Sequence, residues 1–142
     1  MSHQQFSRLL PYTCEHLFDL VLAIERYPEF VPGYSQARIL RREAGALEVE
    51  QSIGLGPASF SFRSRAEFIA SEQIFICAHD GPFRRLEVRW QFAAQQEGGC
   101  RVTVDTHYQP GHLLAAPLLR GAMELLGPRL LDAFVQRAAQ MA

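Results

Sequence analysis

The chain predicts an α+β fold in which a curved antiparallel sheet of about seven strands wraps around a long C-terminal helix. Three observations carry that expectation. Apolar residues recur at helical spacing in only two stretches, after Thr13 and after Pro110-Gly111. Between Ile39 and Tyr108 the pattern alternates with period two, and the breaks between alternating runs are short and rich in glycine and proline. Strands joined by such tight turns pair as hairpins, and a sheet of that length twists and curls around whatever covers its apolar face. Only the last helix is long enough to be that cover.

Gln4 to Leu10 reads as a short first strand. Thr13 then offers a side-chain oxygen to cap a helix whose buried face is Leu17, Phe18, Leu20, Val21 and Ile24. Pro28 and Pro32 stop it, leaving at most one further turn around Tyr27 and Phe30. A second strand begins at Ile39 and turns at Ala44-Gly45. In the third, Leu47, Val49, Gln51 and Ile53 alternate with Glu48, Glu50 and Ser52, and Gly54 with Gly56-Pro57 makes the next turn. Along the fourth, Phe60, Phe62, Ser64, Ala66 and Phe68 share one face, while Ser59, Ser61, Arg63, Arg65 and Glu67 share the other. Ile74 to Ala78 is the fifth strand, and Asp80-Gly81-Pro82 a turn. Leu86, Val88, Trp90 and Phe92 line one side of the sixth, and Val102, Val104, Thr106 and Tyr108 one side of the seventh. The remainder, to Ala142, is helical. Its apolar residues cover more than one face, and Gly127-Pro128 should kink or split it, since proline removes a hydrogen bond and crowds the preceding turn.

The 142 residues make one domain, 1–142, long enough to bury roughly two-thirds of the unfolded surface. A net charge of -1 argues against a polyanion as partner. All fourteen basic residues are Arg, which reflects either genomic base composition or the use of planar guanidinium groups. Cys14, Cys77 and Cys100 are odd in number and form no CxxC pair, so neither a disulfide framework nor a zinc ribbon is expected, and a reducing compartment fits. The N-terminus has no apolar run of signal-peptide length, and nowhere do 18 apolar residues run together. No histidine has a zinc-site spacing, and neither Ser59 nor Ser61 sits in an elbow motif, so no metal site and no catalytic residue is expected.

A sheet curled around one helix leaves a tapered apolar space, and such space takes a ligand. Two segments supply its walls. Glu25-Arg26-Tyr27-Pro28-Glu29-Phe30-Val31-Pro32 places Tyr27, Phe30 and Val31, held by Pro28 and Pro32, either as a cavity rim or as a plug packing a loop onto the sheet. Gly81 to Phe92 supplies Trp90 and Phe92, which with Phe60 and Phe62 are either the interior wall or plain core. Arg63, Arg65 and Arg89 read as a solvated face opposite the phenylalanines, the alternative being contact with a ligand oxygen. Burial of hydrocarbon at about 0.8 kcal/mol per CH₂ gives each five-carbon unit of a lipid tail on the order of 3–4 kcal/mol.

These two segments resemble the coenzyme Q-binding branch of the START-like, or helix-grip, superfamily related to the polyketide cyclases and dehydrases. There a D/E-x-Y-P-x-F-x-P segment follows the first helix and G-P-F-x-x-L-x-G-x-W-x-F forms a late strand. Ala133-Phe134 with Arg137-Ala138 is a weaker match near the end. The resemblance covers essentially the whole chain. It implies a helix-grip fold, no required cofactor, and a bound ubiquinone or related prenylquinone carried by a non-enzymatic lipid chaperone that supports respiratory electron transport. The implied ligand-binding set is Tyr27, Pro28, Phe30, Val31, Pro32, Phe60, Phe62, Phe83, Leu86, Val88, Trp90 and Phe92, with Leu126, Leu130 and Phe134 from the helix. Val88 stands where the family has Gly, Gly33-Tyr34 replaces Trp-Cys, and Gly127-Pro128 interrupts the last helix, so the departures bear on the ligand more than on the fold.

The expected partners are a hydrophobic small molecule, a membrane touched transiently and a second copy through the C-terminal helix, with a cytoplasmic location peripheral to the inner membrane. Two other functions remain open. A toxin of the same superfamily blocks ribosomal subunit joining, which would ask for a basic surface, and a cyclase/dehydrase enzyme would ask for polar groups converging in the cavity. Nucleic acid or ribosome ranks below the lipid on charge.

Overall fold

The computed structural model describes residues 2–55, 58–112 and 116–141. In chain order the elements are β1 (Ser2–Leu10), α1 (Cys14–Leu22), a 3-10 helix (Ile24–Glu29), β2 (Tyr34–Glu43), β3 (Ala46–Leu55), β4 (Ala58–Ile69), β5 (Gln73–Ala78), β6 (Phe83–Ala94), β7 (Cys100–Pro110) and α2 (Ala116–Met141). The seven strands form one antiparallel sheet in the order β1-β7-β6-β5-β4-β3-β2. Strands β2 to β7 are thus consecutive hairpins, and β1 crosses to pair with the last of them, from Ser2 opposite Tyr108 to Leu10 opposite Cys100. The turn expected at Gly56-Pro57 lies outside the described residues.

The period-two faces hold. Phe62, Ser64 and Ala66 are buried while Ser61, Arg63 and Glu67 are exposed, and every second residue of β7 from Cys100 to Tyr108 is buried. Strand β2 starts at Tyr34, five residues before the expected Ile39. Its alternation is hidden in the sequence by register shifts between Tyr34 and Gln36 and between Ile39 and Arg41; each such irregularity puts two residues opposite one and resets the pattern.

Thr13 caps α1 as expected, its hydroxyl accepting from the His16 amide at 3.1 Å. The helix ends at Leu22, short of the prolines, and the chain tightens into six 3-10 residues that contain Pro28. That is about two turns at three residues each, where the sequence suggested at most one. Pro28 has no amide hydrogen to donate, and the segment closes after it, where the Tyr27 carbonyl accepts from Phe30 at 3.1 Å and Val31 at 2.8 Å.

Two further expectations are corrected. Of the kink or split expected at Gly127-Pro128 the split does not occur: helix α2 runs on with Pro128 inside it. The carbonyl that loses its partner belongs to Glu124, which with Pro128 faces solvent, so water can replace the missing donor. Beside it Gly127 leaves room for the Gln4 side chain, whose amide donates to the Met123 carbonyl at 3.2 Å; a Cβ at 127 would collide with Gln4 Oε1. The cysteines are not all free either. Cys14 and Cys100 form a disulfide across Cα atoms 5.3 Å apart, while Cys77 stays single. Their 86-residue separation makes the pairing a property of the β1–β7 register, invisible to local cysteine spacing.

Candidate functional site

The inner face of the sheet meets α1 and α2 through two packed bodies of side chains. The larger gathers Leu17, Phe18, Val21 and Ile24 of the first helical stretch with Trp90, Val104, Leu126 and Phe134. Phe134 is its hub, with ring centroids 5.1 Å from Trp90, 5.2 Å from Tyr27 and 5.1 Å from Phe30, all edge-on, the favoured geometry for aromatic pairs. Tyr27 donates its hydroxyl to the Val21 carbonyl, which ties the 3-10 helix to α1. Burial, and next to it the Tyr34 phenol, push the Tyr27 pKa well above the usual phenol range. The smaller body joins Ile53, Phe62, Phe83, Leu86 and Tyr108 to Leu119, with Phe60 against its flank. Phe83 sits 5.1 Å from Phe62 and 6.1 Å from Phe60.

The structure therefore divides the candidate residues. Tyr27, Phe30, Val31, Trp90, Leu126, Leu130 and Phe134 come together in one body, and Phe60, Phe62, Phe83 and Leu86 in the other. Phe92 is buried in the larger body but turns its ring toward Phe18 of α1, at 5.7 Å. Pro28 and Pro32 are exposed and act only on the backbone path. Val88 is the side chain that packs against both bodies, together with Tyr34, which sequence reasoning had set aside as a departure from a motif.

Between the two bodies runs a seam. The registers place Leu47, Ala66, Ile76, Val88, Thr106 and Gln4 opposite one another in a single row across the sheet. The rows to either side hold larger side chains: the rings of Phe68, Trp90 and Phe6 on one, Leu86 and the Tyr108 ring on the other. Leu47, Ala66 and Thr106 of the middle row are buried, the first two within the larger body, so only its centre stays open. Ile76 and Val88 remain partly accessible although they point inward on central strands, whereas Ile74, Ala78, Leu86 and Trp90 beside them are buried. Tyr34, Met123 and Leu130 share that partial exposure. Desolvation raises the pKa of the Tyr34 phenol above its usual value, although part of the residue stays accessible. Next to the row, Gln51 and Ser64 are buried polar groups; the Gln51 amide donates to Ser64 Oγ at 3.1 Å. That leaves the serine hydroxyl proton to donate elsewhere.

Among the described residues, clefts open at the margins of the grip, one of them reaching Leu47 at the end of the seam row. One of about 330 Å³ is lined by Leu22, Ile24, Ile39, Leu47 and Phe68, with Asp19, Glu25, Arg26 and Arg42 around it. Another of about 280 Å³ sits between α1 and the end of α2, lined by His16, Asp19, Arg26, Arg137 and Met141. Arg137 donates to Glu29 at 2.8 Å and lies 5.0 Å from the centre of the Phe30 ring. The arginines read as a solvated face are indeed opposite the core: Arg63 pairs with Glu50 at 3.3 Å, Arg65 with Glu43 at 3.2 Å, and Arg89 covers the Phe75 ring at 4.6 Å. Among the described residues one group of metal-type donors converges, His3, Asp105 and His107, on the outer face. No helix among them is long and apolar enough to cross a membrane.

A sheet gripping one C-terminal helix, with an apolar seam between them, agrees with the family match. Residues 10–135 fit the profile described as "Polyketide cyclase / dehydrase and lipid transport". The chain belongs to this family. It is 35% identical to a protein of Pseudomonas aeruginosa named ribosome association toxin RatA, over 99% of this chain and 97% of that one. It is also similar, at 27% identity, to a mitochondrial coenzyme Q-binding protein COQ10 homolog B of Xenopus laevis, over 65% of this chain but 38% of that one. A START superfamily protein of Mycobacterium smegmatis has the same fold, with a TM-score of 0.84 at 18% identity and 99% of both chains covered. The START-like helix-grip architecture expected of this family member is therefore established.

Proposed function

We propose that this protein binds an apolar small molecule of the prenylquinone kind in the seam and carries it as a non-enzymatic chaperone. The observation that supports this most directly is the pair Ile76 and Val88, inward-facing and incompletely covered in a row whose Ala66 and Thr106 are buried. An isoprenoid tail would complete the packing there, and the Ser64 hydroxyl would offer a donor to a quinone carbonyl. The similarity to a coenzyme Q-binding protein agrees with that ligand class.

The test is extraction of the purified protein with organic solvent, mass spectrometry of the extract, and titration of the stripped protein with a short-tailed ubiquinone. Near-stoichiometric prenylquinone, or saturable binding that quenches the buried single tryptophan, is the expected result. Trp90→Ala should lower retention more than Arg63→Ala, because Trp90 borders the seam and Arg63 faces solvent. No extracted quinone together with no binding overturns the reading.

A second reading, association with ribosomal subunits, is favoured by the name of the relative at 35% identity. Against it, arginines on the outer sheet face are already engaged by carboxylates, Arg38 and Arg63 sharing Glu50 and Arg65 bound to Glu43, so phosphates would have to compete for them. Adding the protein to subunits before sucrose-gradient sedimentation separates the two: loss of joined ribosomes without any quinone binding would replace the first reading by the second.

A further inference from the structure

We infer a divalent metal site, of the zinc class, on the outer face of the sheet where β1 meets β7. His3 and His107 are direct register partners, and Asp105 lies two residues from His107 on the same face. The two imidazoles stack with centroids 4.1 Å apart and planes 6° from parallel. His3 Nε2 contacts Asp105 Oδ1, and the same oxygen is 3.7 Å from His107 Nε2. One ligand atom from each of the three residues lies within 4.8 Å of the other two.

Two imidazole nitrogens and one carboxylate oxygen are a donor set that zinc accepts, at about 2.0–2.2 Å each. Bonds of that length at tetrahedral angles put the ligand atoms roughly 3.3 Å apart, so small side-chain rotations close the set around an ion. The strand pairing already fixes the three Cα positions. Gln5, opposite Asp105, donates to its other oxygen, Oδ2, at 3.0 Å and so orients the carboxylate from behind. Around the group, the neighbouring strand presents Glu87 opposite His107 and Arg89 opposite Asp105; Glu87 is paired with Arg85 at 2.7 Å and Arg89 donates to Gln73 at 3.1 Å, so both are already engaged. Three protein donors leave a coordination position for water or for a donor from another molecule. The ion would also pin the edge strand β1 to its partner.

This site is separate from the seam, which lies on the other face, so the two proposals stand or fall independently. The experiment is calorimetric titration of the metal-stripped protein with zinc chloride in a non-chelating buffer, repeated on His3→Ala, His107→Gln and Gln5→Ala. A single saturable site is expected, with a melting temperature raised by zinc in the unsubstituted protein. His3→Ala and His107→Gln should each weaken binding by more than the roughly 10–100-fold typical of losing an outer partner, and Gln5→Ala by about tenfold. The substituted side chains are exposed or partly exposed, and circular dichroism verifies that each variant is folded before titration. Absence of saturable binding overturns the inference, as does zinc binding that the His3 and His107 variants leave unchanged.

Discussion

Glu29 shows how a single exposed side chain can report on the joint between the 3-10 helix and α2. Its carboxylate accepts from Arg137 at 2.8 Å and Arg26 at 3.2 Å, and these bonds hold its pKa below the ordinary carboxylate range. A folded-state pKa lower than the unfolded one means that the contribution is complete above about pH 4.3, the usual glutamate value, and is lost as pH falls through the depressed folded value. Urea denaturation of Glu29→Gln beside the unsubstituted protein should therefore give a deficit at neutral pH that narrows toward pH 3. Because the pair is in solvent, the deficit should be small and should shrink in high salt. An equal deficit at both pH values would mean that the glutamate acts by packing instead. Arg137 itself was legible only as part of a weak terminal motif. Its position over Phe30 depends on how α2 lies across the sheet, which no local pattern encodes.

Among the elements, the β5–β6 turn is the one most tightly constrained by its neighbours. Gly81 has a φ of 62°, in the left-handed region, and a Cβ there would strike the Ser61 carbonyl of β4. Asp80 beside it accepts from the amides of Gly81 at 2.8 Å and Arg63 at 3.0 Å, so the turn is sewn to the strand behind it. Gly81→Ala should destabilise the protein by about 1–3 kcal/mol, read as a shift of the denaturation midpoint with unchanged slope. A variant as stable as the original would show that the turn can relax away from β4. This glycine was visible in the sequence as part of Gly81-Pro82-Phe83, and the strands on either side were visible as alternation. Less visible was β2, whose two register shifts break the period, and the persistence of α2 through Pro128, which depends on Glu124 and Pro128 both facing water. The candidate site was legible as a set of aromatic residues but not as two bodies with a seam. Which row of the sheet each ring occupies follows from strand pairing, and the middle row is marked by small side chains, not by conspicuous ones.

At the scale of the molecule, the disulfide joins the start of α1 to the start of β7 and closes a loop of most of the chain. Cys14→Ser should lower stability by roughly 2–4 kcal/mol under oxidising conditions, as expected for removing a cross-link that restricts the unfolded chain. With a reductant present the two proteins should converge, and a difference that survives full reduction would assign the loss to packing around Cys14. Cys100 is wholly buried behind Gly99, which itself sits against the Leu10 backbone, so the bond is shielded by the same contact that ends β1.

The pairing of β1 with β7 also sets an order of assembly. Hairpins β2 to β7 connect neighbours in sequence and can close as the chain leaves the ribosome, but the strand made first has no partner until the strand made last emerges. At about 5–20 residues per second, the 86 residues between Cys14 and Cys100 take several seconds to synthesise. During that interval the inner side chains of β1 and one border of the growing sheet are uncovered together. Holding factors have their opportunity then, and slow docking of the opening strand is the step at which newly made copies are most exposed to mispairing with one another.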